Sequence, residues 1–443
     1  MSLGFVGYVE TDANWLEICL VQVCQHDIGM SLSMTFLRFL RLVLVRPRQS
    51  GVFQTTSRPA ASATADDSSP VVTEARLLVD LTEYLRFDAG TGIQRITKAF
   101  VVWLSSEPAL THRIIFVFLG YDGTLRRAKG TAPDLRDGKD CEMLNVTSTD
   151  TFFFLDFSPR ALPKQRSQME AWRRLGVGMI FFVHDLLPYR RPEWFTPRGA
   201  RNFKKWSALL PRFGDKFVCL SEYTKNDLRS YLTAENNAEV AEKIKKVRVE
   251  LSWASTPPKN SREMTTFSST GLTILMVATV EPRKGHWQVL RAFDRLWDKG
   301  IEAKLVFIGR GGWGTADLQK YMRSHPQRDK QFFWRESVGD EALLSAYRSV
   351  SGVIVASEGE GYGLPLREAL YCGKPVLARD LPAFREDIDG DVTYFQSQSP
   401  HALADVIACW LETMDCKAIP ENQEIGSRFS YSISGFDVSF FDV

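Results

Sequence analysis

The chain has 443 residues, of which 44% are hydrophobic and 24% charged, a composition typical of a globular protein with two domains of ordinary size plus extensions. Its 55 lysines and arginines are nearly balanced by 53 acidic residues, and the net charge of +2 argues against an extended nucleic-acid-binding surface. The seven cysteines are scattered and include no C-x-x-C pair, so we expect a reducing compartment, the cytoplasm, and neither a disulfide framework nor a zinc site.

The first 70 residues form an extension to which the sequence assigns no role. Residues 1–48 have helical patterns, and residues 49–70 form a linker rich in serine, alanine and proline, so we expect a domain boundary near residue 70. Residues 30–48 are apolar but interrupted by arginines, and we do not expect them to cross a membrane. They are compatible with an amphipathic helix on the inner membrane surface, with a helix packed on this protein, or with the end of a preceding domain.

Residues 71–255 predict a first domain in which short apolar runs alternate with helical stretches. Such alternation favours a parallel, doubly wound sheet. A polar, proline-containing linker follows at residues 256–269. The predicted strands are 76–80, 114–119, 151–155, 179–183, 216–220 and 246–251, with a helix at 94–104.

Residues 270–415 predict a second domain with the same alternation. Two Rossmann-like domains imply a cleft between them, with ligands outside the carboxyl ends of the strands. We expect residues 416–443 to return to the first domain. The predicted strands are 272–278, 303–308, 331–334, 352–356 and 376–378, and the predicted helices are 287–299, 315–324, 340–349, one beginning at Pro365, and 400–412.

A glycine-rich loop between the predicted strand 352–356 and the helix at Pro365 is the strongest functional signal. Its glycines let the backbone approach a ligand and direct N–H groups at an anion. Glu360 and Glu368 flank this anion site, and eight helical residues would separate them by about 12 Å, too far for both to act on one atom. They could hold the two ends of an elongated ligand such as a nucleotide sugar. The alternative is a pair of solvated acids at a helix start.

Residues 360–369, Glu-Gly-Tyr-Gly-Leu-Pro-Leu-Arg-Glu-Ala, resemble the Glu-x7-Glu motif of the family-4 retaining glycosyltransferases. This resemblance implies an α/β GT-B fold, that is, two Rossmann-like doubly wound parallel-sheet domains facing a cleft. It also implies that Glu360 is catalytic and holds the hydroxyls of the donor sugar, while Glu368 holds the ribose. The further donor-binding residues of this loop are Gly361, Tyr362, Gly363 and Leu364.

A second segment, Thr279–His286, follows the first predicted strand of the second domain and precedes a helix. A fixed cation there would stabilise the departing diphosphate as the sugar bond breaks. The segment resembles the family's phosphate-binding Arg/Lys stretch ending in Lys-Gly, which implies that Lys284 is the catalytic lysine on the diphosphate and that Arg283 assists it. Many family members have an arginine five or six residues earlier, where this chain has Thr279 and Ala278, and whether this weakens activity stays open. The alternative is a solvated basic turn.

Glycines and a His-Asp pair extend the predicted site to other strand ends. Gly90 and Gly92 resemble the family's glycine-rich loop after the first strand, where donor and acceptor approach the backbone, and Gly309 lies at the turn that approaches the base and ribose in this fold. His184 and Asp185 resemble a His-Asp pair on the acceptor side, where the histidine could accept a hydrogen bond from the acceptor hydroxyl or orient the sugar. The alternative is a buried histidine satisfied by a carbonyl, with Asp185 capping the next turn.

Several polar groups have competing interpretations. Arg95 could meet phosphate or only solvent, and we expect Ser221 or Thr224 to cap a helix. The acidic turn at 387–391 lacks the ligands of a calcium loop and is expected to be solvated. Basic clusters in the first domain could bind an anionic, lipid-diphosphate-linked acceptor or a membrane surface, or could be solvated. These clusters are Arg173–Arg174, Arg190–Arg191, Lys204–Lys205 and Lys243–Lys246.

The predicted function is transfer of a hexose from a nucleoside diphosphate sugar to a hydroxyl of a saccharide or lipid-linked acceptor, with retained configuration and no covalent intermediate. The resemblance implies no metal, and we expect no other cofactor. The form Glu-Pro-Arg-Lys-Gly resembles bacterial mannosyltransferases of surface polysaccharide synthesis, so the expected donor is GDP-mannose. Expected partners are the nucleotide sugar and the acceptor, with no nucleic acid and with peripheral contact with the inner membrane surface left open. The alternatives are a GT-B sugar-nucleotide epimerase and a catalytically silent scaffold domain of a polysaccharide assembly.

Overall fold

The computed structural model describes residues 74–87, 90–132, 134–254, 271–415 and 428–442. The expectations for residues 1–70 and for the linker at 256–269 lie outside these ranges. Among the described residues, no helix combines the length and the apolar character needed to cross a membrane.

The first domain contains a sheet with helices on both faces. Its strands are β1 (Leu77–Asp80), β2 (Ile114–Leu119), β3 (Leu125–Arg127), β4 (Thr151–Phe154), β5 (Gly178–Val183), β6 (Lys216–Cys219) and β7 (Ile244–Lys246), and β8 (Arg248–Ala254) follows them outside this sheet. Its helices are α1 (Thr82–Arg86), α2 (Gly92–Ser106), α3 (Arg166–Leu175), α4 (Leu187–Arg190), α5 (Pro197–Ser207), α6 (Leu210–Phe213), α7 (Glu222–Ala234) and α8 (Ala238–Ala241).

The strand order of this first sheet is β3-β2-β1-β4-β5-β6-β7, and β3 pairs antiparallel at one edge. Alternate residues of each strand enter two cores, so that Phe152 and Phe181 lie on one face and Phe153 and Phe182 on the other. Strands buried on both faces require continuous apolar runs, which is why the sequence marks them clearly.

The second domain repeats this plan with a fully parallel sheet of order β11-β10-β9-β12-β13-β14, the strand order of a Rossmann fold. Successive strands are added to one side of β9 up to β11 and to its other side from β12 onward, so the carboxyl ends of β9 and β12 border a crevice. The strands are β9 (Thr273–Val277), β10 (Lys304–Ile308), β11 (Phe332–Arg335), β12 (Gly352–Val355), β13 (Val376–Arg379) and β14 (Val392–Phe395), and the helices are α9 (His286–Asp298), α10 (Ala316–Arg323), α11 (Asp340–Ser349), α12 (Leu364–Tyr371) and α13 (Pro400–Asp415).

The last described segment lies against the first domain. Strand β15 (Arg428–Ser434) pairs antiparallel with β8 in a separate two-stranded sheet. Beyond it, the ring of Phe441 lies 5.2 Å from that of Phe153, and Lys216 donates a hydrogen bond of 2.8 Å to the Phe440 carbonyl. The chain end therefore contributes to the core under the first sheet.

Some elements differ from the sequence prediction. The single strand predicted at 246–251 is wrong, because the structure has β7 and β8 with a break at Val247. Ile244 packs in the core on one face of the first sheet, and Val247 and Val249 pack in the core on the other, as alternation along a strand requires. The pairing partner changes at the break, because β7 pairs with β6 in the first sheet whereas β8 pairs with β15 outside it. Pro365 occupies the second position of α12, after Leu364.

Candidate active site

A cavity of about 610 Å³ lies at the carboxyl ends of both sheets and is lined by both domains. The first domain contributes the start of α2 and the ends of β5 and β6. The second contributes the ends of β9, β10 and β11 and the loop from β12 to α12. The structure brings the residues singled out from the sequence together in this lining: Gly90, Gly92, His184, Asp185, Arg283, Lys284, Gly309, Glu360, Gly361, Tyr362, Gly363, Leu364 and Glu368.

Lys284 and Glu360 form an ion pair in the cavity wall. The Lys284 ammonium donates to Oε1 of Glu360, and the Ser357 hydroxyl donates to the same oxygen at 2.7 Å. The Arg283 guanidinium lies 3.6 Å from the other carboxylate oxygen and donates to the Gly359 carbonyl at 3.1 Å. Arg283 also lies 3.5 Å from Glu281, so the two cations beside the glycine loop face two carboxylates, and a diphosphate that binds here has to share them.

Burial and charge act in opposite directions on this pair. Burial alone would raise the pKa of Glu360, but the positive charges of Lys284 and Arg283 outweigh it and bring that pKa to about 2. Burial lowers the pKa of Lys284, and the charge of Glu360 offsets this only in part. We expect the carboxylate to be ionised at neutral pH and to hold the lysine ammonium in place.

The glycine loop touches the first domain directly. A Cβ at Gly361 would lie 2.5 Å from the carbonyl oxygen of His184, closer than any real contact allows. Gly363 has a φ of +83°, which favours glycine. The Ser221 hydroxyl donates to the Gly361 carbonyl at 2.6 Å, and Ser221 also caps α7 as expected. A side chain at Gly361 would push the two domains apart.

The side chain of Tyr362 lies between the two domains, although the residue lines the cavity. Its hydroxyl donates to the Val249 carbonyl at 3.3 Å, and the Arg367 guanidinium lies 4.0 Å from the ring centroid. The residue is only 8% exposed and packs with the core of the first domain. Its phenol ring joins the two domains, which leaves its backbone for the cavity.

The carboxylate of Glu368 already has three hydrogen-bond donors. Arg95 donates to Oε1 at 2.9 Å and Tyr431 donates to the same oxygen at 2.5 Å, while Tyr347 donates to Oε2 at 2.7 Å. Arg95 also lies 3.3 Å from Asp340. The sequence left phosphate contact and solvent exposure open for Arg95, and neither interpretation included this ion pair with Glu368. The contributions of Tyr347 and Tyr431 carried no signal in the sequence.

His184 is a neutral histidine with unused hydrogen-bonding capacity. Burial lowers its pKa to about 3, and its Nε2 has no hydrogen-bond partner in the described part of the chain. The next residue, Asp185, accepts a hydrogen bond of 3.0 Å from the Leu187 N–H, so it does cap the following turn. The unpartnered nitrogen is itself buried at the cavity wall, so a hydrogen bond to a ligand would require a small shift of the side chains around it.

The comparisons with known proteins agree with this geometry. Residues 259–424 match the family model described as glycosyl transferases group 1. This chain carries a glycosyl transferases group 1 domain. The predicted resemblance is confirmed, and the matched residues include the Lys284 segment and the whole loop from Glu360 to Glu368.

Among the relatives is the serotype-specific mannosyltransferase WbdA of Escherichia coli, which is 30% identical over 360 residues, covering 79% of this chain and 43% of that protein. The chain thus spans less than half the length of this relative. The O-antigen chain mannosyltransferase B of Escherichia coli is 29% identical over 113 residues, covering 25% of this chain and 29% of that protein. Anabaena HepE in complex with UDP-glucose is 15% identical, with a TM-score of 0.50, over 77% of this chain and 91% of that chain. The GT-B fold is confirmed.

Further polar contacts link the two halves of the glycosyltransferase fold. Glu386 of the second half accepts hydrogen bonds of 2.6 and 2.5 Å from the N–H groups of Glu222 and Tyr223, at the start of α7. The neighbouring Asp387 pairs with Lys246 at 2.6 Å, although its sequence context predicts a solvated turn. Such contacts between residues far apart in the chain have no local sequence signal.

Proposed function

We propose that this chain transfers a hexose from a nucleoside diphosphate sugar to a hydroxyl of a saccharide or lipid-linked acceptor, with retention of configuration. The observation that carries the proposal is the contact of Lys284 with Glu360 beside a glycine-lined helix start, opposite the unpartnered His184. The WbdA relative, which is named a mannosyltransferase, supports the same class of reaction.

The order of the strands suggests how the donor lies. The base and ribose would occupy the end of the cavity near β10, β11 and Glu368, and the diphosphate would reach Lys284, Arg283 and the amides of the glycine loop at the start of α12. The sugar would then lie beside Glu360, whose ionised carboxylate accepts hydrogen bonds from its hydroxyls. In binding, the diphosphate would share Lys284 with this carboxylate.

The reaction needs no group beyond those in the cavity. The bond between the anomeric carbon and the phosphate oxygen breaks, and a bond from the acceptor oxygen to the same carbon forms. The acceptor proton passes to the departing phosphate, whose growing negative charge Lys284 and Arg283 stabilise. His184, neutral at working pH, accepts a hydrogen bond from the sugar or acceptor. We propose that no metal or other cofactor takes part.

For the donor, we propose GDP-mannose, because the relatives include mannosyltransferases. UDP-glucose, which HepE binds, is the first donor to compare with it. The proposal includes a cytoplasmic site of action, with contact with the inner membrane surface when the acceptor is lipid-linked.

The test combines binding with turnover. GDP-mannose, UDP-glucose and other nucleotide sugars are compared for their ability to raise Tm and for sugar transfer, with and without a saccharide acceptor. Lys284→Ala and Glu360→Ala should lose transfer at least a hundredfold, whereas Lys330→Ala and Glu302→Ala, at exposed positions, serve as matched controls. Unchanged turnover in the first two variants refutes the proposal. A new nucleotide sugar formed without acceptor would favour an epimerase, and the absence of any binding or turnover would favour a scaffold.

A further inference from the structure

A second cavity, of about 360 Å³, adjoins the first on the far side of Glu360. The first domain contributes residues of α4, Trp194 and the start of α7, and the second contributes residues 358–360 and 381–383. Glu360 lines both cavities. The volume lies within the range of about 300 to 1,000 Å³ that small-ligand sites occupy.

The position of this second cavity follows from the sheet order. The first cavity extends along the strand ends of β11, β10, β9 and β12, and the second continues from β12 to the loop after β13. In the proposed orientation the donor sugar lies at Glu360, at the boundary between them. The molecule that occupies the second cavity would therefore meet the transferred sugar and not the nucleotide.

The charges of the second cavity are already paired. Arg190 donates to Asp227 at 2.7 Å, and Arg191 donates to Glu193 at 2.5 Å. Glu358 adds a further carboxylate to the lining. The two arginines face the carboxylates of Asp227, Glu358 and Glu360, and the N–H groups at the start of α7 already donate to Glu386. A diphosphate would therefore find neither excess positive charge nor the free amides of a helix start. The sequence had left open an anionic, lipid-diphosphate-linked acceptor for the Arg190–Arg191 cluster, and these ion pairs argue against one here.

The walls of the second cavity suit both the apolar C–H face and the hydroxyl groups of a sugar. Trp194 is held rigidly: it is 8% exposed, the Arg191 guanidinium lies 4.2 Å from its ring centroid, and a Cβ at Gly359 would lie 2.5 Å from its ring. Residues 381–383 add apolar surface, and Tyr223 is half-buried beside Asp227. Apolar walls with a few fixed polar groups accept the C–H face of a sugar while hydroxyls bond to the tyrosine and the charged pair.

We propose that the second cavity binds the terminal sugar of a neutral saccharide acceptor, with Tyr223 and the Arg190–Asp227 pair as its polar contacts. This inference rests on the proposed transfer reaction for the orientation of the donor. The binding itself does not depend on turnover, so the two proposals can fail separately.

The test is saccharide binding measured by saturation-transfer NMR, with α-mannobiose as the probe and GDP present to fill the nucleotide end. Tyr223→Ala should weaken α-mannobiose binding about tenfold, as expected for losing roughly 1.4 kcal/mol of contact, and should leave the affinity for GDP unchanged. Tyr223→Phe should have a smaller effect. The matched control is Tyr121→Ala, because Tyr121 is 90% exposed and lies outside both cavities.

Each outcome decides the question. Equal α-mannobiose affinity in Tyr223→Ala and the wild type overturns the proposal, as does a wild type that binds neither α-mannobiose nor α-glucobiose. If geranyl diphosphate competes with α-mannobiose for this site, the proposal that the ligand is neutral is wrong. If Tyr223→Ala also loses affinity for GDP, the substitution distorts the protein generally. Arg190→Gln is then measured in its place, and it should weaken α-mannobiose binding about tenfold without changing the affinity for GDP. Saccharide binding without any transfer would count against the proposed reaction alone.

Discussion

Replacing Arg95 by methionine tests whether the contact with Glu368 stabilises the arrangement of the two domains. The Glu368 side chain is 2% exposed and that of Arg95 is 23% exposed, so the pair is largely withdrawn from water. Removing one partner of a buried ion pair costs about 3 to 5 kcal/mol when nothing else compensates. Here Tyr347 and Tyr431 still donate to the carboxylate, and Arg95 is partly solvated. We therefore expect a loss of about 2 kcal/mol in the free energy of unfolding.

Differential scanning calorimetry is the assay for this prediction. With an unfolding entropy of about 2.1 cal/mol/K per residue, a loss of 2 kcal/mol lowers Tm by about 3 °C for a unit of this size. Arg166→Met is the matched control, because its pair with Glu170 is 3.4 Å long with the arginine side chain 58% exposed, and such a pair contributes less than about 1 kcal/mol. If Arg95→Met unfolds at the same temperature as Arg166→Met, the reasoning is wrong.

Three further predictions address protonation and close packing. Burial, helped by the charge of Asp156, raises the pKa of Asp80 to about 7. As the pH rises from 4 to 7, the free energy of unfolding of the wild type should therefore fall by up to about 4 kcal/mol relative to that of Asp80→Asn. If denaturant titrations give the two proteins the same pH dependence over this range, the prediction is wrong. Because burial holds the pKa of His184 near 3, transfer should show no acid limb near pH 6.5, and a limb there that His184→Asn abolishes would refute a neutral histidine. Gly361→Ala should lower Tm and weaken GDP binding about tenfold or more. Gly339→Ala should do neither, because among the described residues nothing other than its own chain neighbours lies within 4 Å of the added Cβ. Equal GDP affinities in the two variants would count against the close packing.

The second domain could be predicted closely because its signals are local. Strand β12 is a short apolar run and α11 has a clear helical period, and the structure places them at Gly352–Val355 and Asp340–Ser349. In a parallel sheet every strand ends at the same edge, so residues just past separate strands converge. This is why Lys284, Glu360 and Gly309 could be assigned to one cavity before any coordinates were known.

The features that the sequence did not predict depend on distant contacts. Arg95 meets a carboxylate 273 positions away, and Tyr431 reaches the same group from the returning chain end. Tyr362 lies in a motif that resembles a donor site, but its hydroxyl donates a hydrogen bond to the Val249 carbonyl of the other domain. Periodicity and motifs describe neighbours along the chain, so they could place the backbone of these residues and not the direction of their side chains.

The junction between the two halves has a consequence for ligand exchange. Many of its contacts are hydrogen bonds and ion pairs, including those of Ser221 with Gly361, Glu386 with the start of α7, and Lys246 with Asp387. Water can replace such partners at a small free-energy penalty, unlike the contacts of an apolar core. We expect the halves to part and close again about a hinge, so that a spent nucleotide could escape, and this motion has to withdraw Tyr362 from the core of the first domain.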